Sequence, residues 1–165
     1  MAEVKPFRAE RYDESTAGPL ERLVAPPYDV ISPDQRDEYL ARSPYNVVHL
    51  TLPDDEAQAG RDLTIWREQG VLARETKPVY WLLSQDYVGP DGVSRTRSGL
   101  VASLRAEPYE SGTVLPHERT HRGPKEGRLR LLRATLRALV REDGAALVRL
   151  EPIFLLGTRG DLSGA

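Results

Sequence analysis

The chain contains no cysteine, and that absence removes three chemistries together: a disulfide scaffold, a thiolate metal site and a cysteine nucleophile. Lysine is nearly missing as well. Of 23 basic residues only Lys5, Lys77 and Lys125 are lysines, so arginine, the side chain best suited to phosphate and carboxylate, carries most of the positive charge. A GC-rich coding bias produces the same pattern. No apolar run approaches the roughly 20 residues needed to span a bilayer, so no membrane partner is expected. The stretch Met1-Ala2-Glu3-Val4-Lys5-Pro6 lacks the apolar centre of a signal peptide, which makes the cytosol the simplest location. Nor is there an excess of positive charge. With a formal net charge of -2 the chain is no general polyanion binder, and nucleic acid is not the expected partner. What remains is 165 residues with 39% apolar and 29% charged side chains, enough for one globular domain with a sizeable core and too little for two. We expect that domain over residues 1–157, with the Gly-rich end, 158–165, as a fraying tail.

Residues Arg22 to Ile31 form a short apolar stretch broken by Pro26 and Pro27, which remove two backbone donors, so no helix passes through it. Ser32-Pro33-Asp34-Gln35 reads as a helix start, with Ser32 as N-cap, Pro33 in the first turn and Gln35 in capping-box position. That helix should end near Ala41 or Arg42, ahead of Pro44. The β-branched run Asn46 to Leu52 predicts a strand, and Glu56 to Gln69, closed by Gly70, predicts a helix with a glycine C-cap. Two strand-like runs, Pro78 to Val88 and Ser94 to Leu104, flank Gly89-Pro90-Asp91-Gly92 and predict a β-hairpin. Glu126 to Glu142 should be the longest helix, with Leu129, Leu132, Leu136, Leu139 and Val140 on its apolar face and Arg130, Arg133, Arg137 and Arg141 on a solvated one. Pro152 to Leu156 predicts a last strand. The sum is an α+β fold: a single domain whose mixed or antiparallel sheet has the hairpin at its centre, with two to three packed helices. Trp66 and Trp81 are assigned to packing.

The chemistry concentrates between Leu115 and Arg128. His117-Glu118-Arg119-Thr120-His121 fits the H-E-x-x-H pattern, in which two histidines one helical turn apart hold zinc and the glutamate acts as base. A zinc hydrolase is therefore one reading, with His49 as the available third ligand. Against it stand Pro116 before the motif and Gly123-Pro124 after it, which leave barely a turn of helix; we expect no metal shared by the two histidines. The second reading is an anion cradle. A Gly-Pro turn running into a helix leaves N–H groups unsatisfied at the positive end of the helix dipole. Gly123, Lys125 and Arg128, with Arg119 and Thr120 from the preceding loop, would bind phosphate or a nucleotide. Glu118 and His117 would then be the candidate catalytic base and proton carrier, while Tyr28, Asp29 and His49 would wall the site. A third reading needs no ligand: Glu118 and Glu126 pair with neighbouring arginines, Thr120 caps a turn, and His49 is a partly buried, hydrogen-bonded histidine.

The segments Val24-Ala25-Pro26-Pro27-Tyr28-Asp29-Val30-Ile31-Ser32, His49, Leu115-Pro116-His117-Glu118-Arg119-Thr120, Gly123-Pro124-Lys125-Glu126, Arg128 to Leu132 and Pro152-Ile153-Phe154 resemble the prokaryotic family called domain of unknown function 1015. One position departs from the pattern: Gly127 stands where the family has an acidic residue. Members are also much longer, so the chain resembles an N-terminal part or a shortened paralogue. The resemblance implies a cytosolic bacterial or archaeal protein with no established reaction. Neighbouring serine-biosynthesis genes and a relation to the ParB and sulfiredoxin-like superfamily imply a phosphorylated small-molecule ligand. They also imply a serine-like kinase using ATP or ADP with Mg, while the shortened length and Gly127 favour instead a non-catalytic ligand-binding or regulatory module.

Overall fold

The computed structural model describes residues 2–115 and 122–137. The chain enters through two short strands, β1 (Val4–Lys5) and β2 (Glu10–Tyr12), and two single-turn helices, α1 (Glu14–Ala17) and α2 (Leu20–Leu23). A 3-10 turn over Tyr28–Val30 follows, then α3 (Pro33–Arg42), α4 (Val48–Thr51) and α5 (Glu56–Glu68). Next come β3 (Leu72–Arg74), β4 (Trp81–Val88), β5 (Ser94–Val101), β6 (Ser103–Leu104), a 3-10 turn at Tyr109–Ser111, and α6 (Arg122–Arg137). The strands pair antiparallel as β1 with β6, β2 with β3 and β4 with β5. The α+β class expected from the sequence is what the chain forms, with three single-turn helices added to the three longer ones; the described strands make three separate antiparallel pairs in place of one sheet with the hairpin at its centre. The expected strand at Pro152–Leu156, the end of the last helix and the tail 158–165 lie outside the described residues.

The local signals that carry a stereochemical reason hold. Ser32 accepts the Gln35 N–H while the Gln35 side chain accepts the Ser32 N–H, a reciprocal cap that fixes the start of α3. Asp55 caps α5 by accepting from Ala57 and Gln58, and Gly70 takes φ +73° just past its end, as a glycine C-cap does. Those two donated N–H bonds, together with Arg61, hold the Asp55 carboxyl below its ordinary pKa. The hairpin forms in the expected place, in register from Trp81↔Val101 to Val88↔Ser94. Pro26 and Pro27 lie in the non-helical stretch between α2 and the 3-10 turn.

The predicted strand over Asn46 to Leu52 is a helical turn instead. Asn46 is fully buried; its carboxamide oxygen accepts the Val48 N–H at 3.1 Å and its Nδ2 donates to the Arg22 carbonyl at 2.8 Å. The asparagine thus begins α4 and ties it to α2, while Val48, Leu50 and Thr51 are buried. Tertiary burial outweighs the β preference of the valines, a preference of about 1 kcal/mol at most.

The core lies between α5, α6 and the entry helices. Leu23, Leu50, Ala59, Leu63, Trp66, Val71 and Leu131 form one buried cluster, with Tyr12 and Tyr45 packed on it. Trp66 takes the edge of Tyr45 at 5.8 Å and a tilted Tyr12 at 6.1 Å, so its expected packing role is met. Trp81 differs. Its ring lies 5.4 Å from the Arg11 guanidinium, and its buried indole N–H has no partner among the described residues.

Helix α6 begins earlier than predicted, with Arg122, Gly123 and Pro124 already helical. Proline is tolerated in a first turn because the N–H it lacks would have no acceptor there. The inward face also differs from the predicted one. Leu131 and Thr135 are buried whereas Leu129 is 43% exposed, so α6 presents positions four apart and one residue out of phase with the leucine stripe. Thr135 satisfies its hydroxyl on the Leu131 carbonyl, 3.0 Å away.

Candidate functional site

Single-turn helix α4 leaves its last carbonyls without partners of its own, as every helix C-terminus does. Two arginines supply them. Arg36 from α3 donates through Nε to the Leu52 carbonyl at 2.8 Å, and Arg128 from α6 donates through Nη1 to the Thr51 carbonyl at 2.7 Å. The Arg128 guanidinium carbon lies 3.2 Å from the centroid of the Tyr28 ring, a cation–π contact. One side chain thereby joins the Pro26-Pro27-Tyr28-Asp29 turn, the end of α4 and the beginning of α6.

The structure brings some of the candidate residues together and leaves others apart. Tyr28 and Arg128 are in direct contact, although a hundred residues separate them. Asp29 is exposed in the 3-10 turn beside Tyr28. His49 lies on α4, half-buried, with Nε2 3.2 Å from the Ser43 carbonyl; since a carbonyl only accepts, Nε2 carries the hydrogen. Lys125 and Glu126 are exposed in the first turns of α6. Gly123 lies on α6, while His117, Glu118, Arg119, Thr120 and His121 fall outside the described residues, so the expectation about a metal shared by the two histidines lies there too.

The predicted anion cradle rested on a turn at Gly123-Pro124 opening onto a helix at Glu126. With helix already present from Arg122, the free N–H groups of the first turn belong to residues further back in the chain, and Pro124 contributes none. Gly127 is half-buried, and a Cβ built on it would meet Arg130 Nη2 at 3.8 Å, an ordinary contact. Space for a Cβ therefore does not by itself require glycine at this position, and what the chain lacks there is a carboxylate. Arg130 itself pairs with Glu56 at 3.0 Å, and that contact, with the Glu56 backbone N–H as the larger cause, holds the Glu56 carboxyl below its ordinary pKa.

Sequence reasoning missed Thr51 and Arg36, because reading Asn46–Leu52 as a strand hid the helix C-terminus that needs their contacts. The signal available was Asn46 ahead of a short buried run. Cavities also occur elsewhere. One of about 220 Å3 is lined by Gly18, Pro19, Arg22, Arg42 and Tyr45, and another of about 340 Å3 lies along the hairpin between Asp86 and Thr96. Neither contains a candidate residue. No group of three or more metal-ligating side chains occurs among the described residues, and no helix among them is long and apolar enough to cross a membrane.

These features define an α+β domain whose last described helix is clamped by arginine onto a Pro-Pro-Tyr-Asp turn. The chain belongs to the family described as protein of unknown function (DUF1015), whose model matches residues 4–139. No curated protein and no solved structure matches it.

Proposed function

We propose that the chain binds a phosphorylated small molecule or nucleotide beside the start of α6. The observation that carries this reading is the contact of Arg128 with Tyr28 and the Thr51 carbonyl, which unites the two chemistry-bearing segments of the sequence. The Arg128 guanidinium is engaged by those contacts, so its part is to fix the helix start. Exposed Lys125 supplies the ligand's counter-charge, joined by Arg119 and Thr120 from the preceding sequence. Glu118 and His117 are the groups for phosphoryl transfer from ATP or ADP with Mg to a serine-like acceptor. A second reading, a ligand-binding module without catalysis, is favoured by Gly127, which leaves a family carboxylate position without its charge.

Thermal-shift measurements with inorganic phosphate, phosphoserine, ADP, and ATP with Mg test the proposal, because a ligand raises the melting temperature only if it binds the folded state. Binding should fall about tenfold in Lys125→Ala, the loss of one charge-assisted contact. It should persist in Arg133→Ala, on an exposed position about 12 Å further along the helix. Equal losses in both would indicate diffuse electrostatics, and no shift with any phosphate compound would refute the reading. A zinc-induced shift lost in His117→Ala would favour the hydrolase. Phosphate transfer to serine would separate the kinase from the silent module.

A further inference from the structure

The hairpin of β4 and β5 is an isolated two-stranded sheet among the described residues, a form only marginally stable by itself in water. It also exposes apolar side chains: Leu82 is 84% and Val88 67% exposed. The hydrogen-bond phase of the hairpin shows which edge can accept another strand. Gly89 N–H donates to the Val93 carbonyl at 2.9 Å, and in an antiparallel ladder bonded and non-bonded pairs alternate. With Val88↔Ser94 and Tyr87↔Arg95 next in register, residues 81, 83, 85 and 87 bond inward to β5. The N–H and C=O groups of Leu82, Ser84, Asp86 and Val88 therefore point outward from the β4 edge.

We propose that this edge pairs with the β4 edge of a second copy of the chain, making a continuous four-stranded antiparallel sheet about a two-fold axis at Gln85. The side chains select both the partner and the register. Centred on Gln85, the pairing sets Leu82 against Val88 of the other copy, Leu83 against Tyr87 and Ser84 against Asp86, and it places the outward N–H groups in bonded pairs. Shifting the axis to Ser84 sets Leu82 against Asp86 and loses the apolar match. No like charges meet in the Gln85-centred register. The β5 edge, by contrast, carries Arg95 and Arg97, and self-pairing about residues 95 to 97 opposes arginines, which is unfavourable. Gln85 Oε1 accepts from Arg97 at 2.6 and 3.0 Å, which holds this neutral side chain within its own hairpin and places no like charges at the axis. The interface is isologous, the commonest closed form of self-association, and it covers a strand edge otherwise open to aggregation.

The full chain without cysteine gives a direct test. A non-bonded antiparallel pair holds its Cα atoms about 4.5 Å apart, within disulfide range. Gln85→Cys should therefore oxidise to a covalent dimer, whereas Ser84→Cys and Asp86→Cys, each diagonal to itself, should cross-link at least about tenfold more slowly. Sedimentation velocity should show a concentration-dependent dimer, weakened more than about tenfold by Leu82→Lys, which puts a charge on the edge. Ser84→Pro, which removes an outward N–H and leaves the bonds to β5 intact, should abolish the dimer while the circular dichroism stays unchanged. A monomer at all concentrations, or cross-linking that peaks at a residue other than 85, overturns the proposal. So does a monomer in which the amides of 82, 84, 86 and 88 resist hydrogen exchange, because another part of the same chain then occupies the edge.

Discussion

Replacing Gly60 with alanine sets two effects of known sign against each other. Gly60 lies in the interior of α5, where alanine is favoured over glycine by about 1 kcal/mol in an isolated helix. In the folded chain, however, a Cβ at Gly60 would stand 2.8 Å from the Ala134 carbonyl oxygen and 3.2 Å from its carbonyl carbon. Those atoms are main chain of α6, so no rotamer change relieves the contact. The two helices must separate by several tenths of an ångström, disturbing the packing of Leu63 and Leu131, both in the buried cluster. Overpacking of this kind costs about 1–3 kcal/mol, so Gly60→Ala should be destabilising by about 1 kcal/mol net, a fall of roughly 3 °C in Tm for a chain of this size. Urea unfolding followed by circular dichroism measures it. Adding Ala134→Gly should not rescue the variant, because the obstructing atoms are not the Ala134 methyl. If Gly60→Ala instead raises stability by about 1 kcal/mol, the crossing of α5 and α6 at this point is wrong, and with it the placement of Lys125 and Arg128.

Two other outcomes are expected. Arg128→Ala should cost about 2 kcal/mol in unfolding experiments, combining a charge-assisted hydrogen bond with a half-exposed cation–π contact; Tyr28→Phe should be nearly silent, Tyr28→Leu should not, and full additivity of Tyr28→Leu with Arg128→Ala would argue against the stacking. Arg95, donating two hydrogen bonds, holds the Asp91 carboxyl down to about 2. Because the folded-state value is depressed, this contribution to stability is complete above the ordinary carboxylate pKa and is lost as pH falls through about 2. Carboxyl NMR titration should find Asp91 still ionised at pH 3, and Arg95→Ala should raise its pKa while the Val93 N–H bond still holds it below the usual range.

The sequence by itself determined those elements whose signals are local and stereochemical. Ser32, Pro33 and Gln35 specify a cap through their own backbone and side-chain groups; Gly70 ends a helix because it tolerates positive φ; Gly89 to Gly92 closes a hairpin between two strand-like runs. Family membership was legible for a related reason, since it rests on short motifs that stay contiguous in the chain. What only the tertiary structure decided was whatever depends on who lies opposite. Asn46 to Leu52 has the composition of a strand but becomes a helical turn because Asn46 satisfies backbone groups of α2 and because Val48 and Leu50 find a core on one side. Leu131 and Thr135 face inward in place of Leu129 because the phase of α6 is set by its contact with α5 at Gly60, a feature invisible in the periodicity of α6 alone. The clamp at the candidate site is the clearest case. Arg128 and Tyr28 were each singled out for separate reasons, but their contact, and the Thr51 carbonyl that completes it, exist only once α4 has formed, because it is the end of that helix that needs a donor.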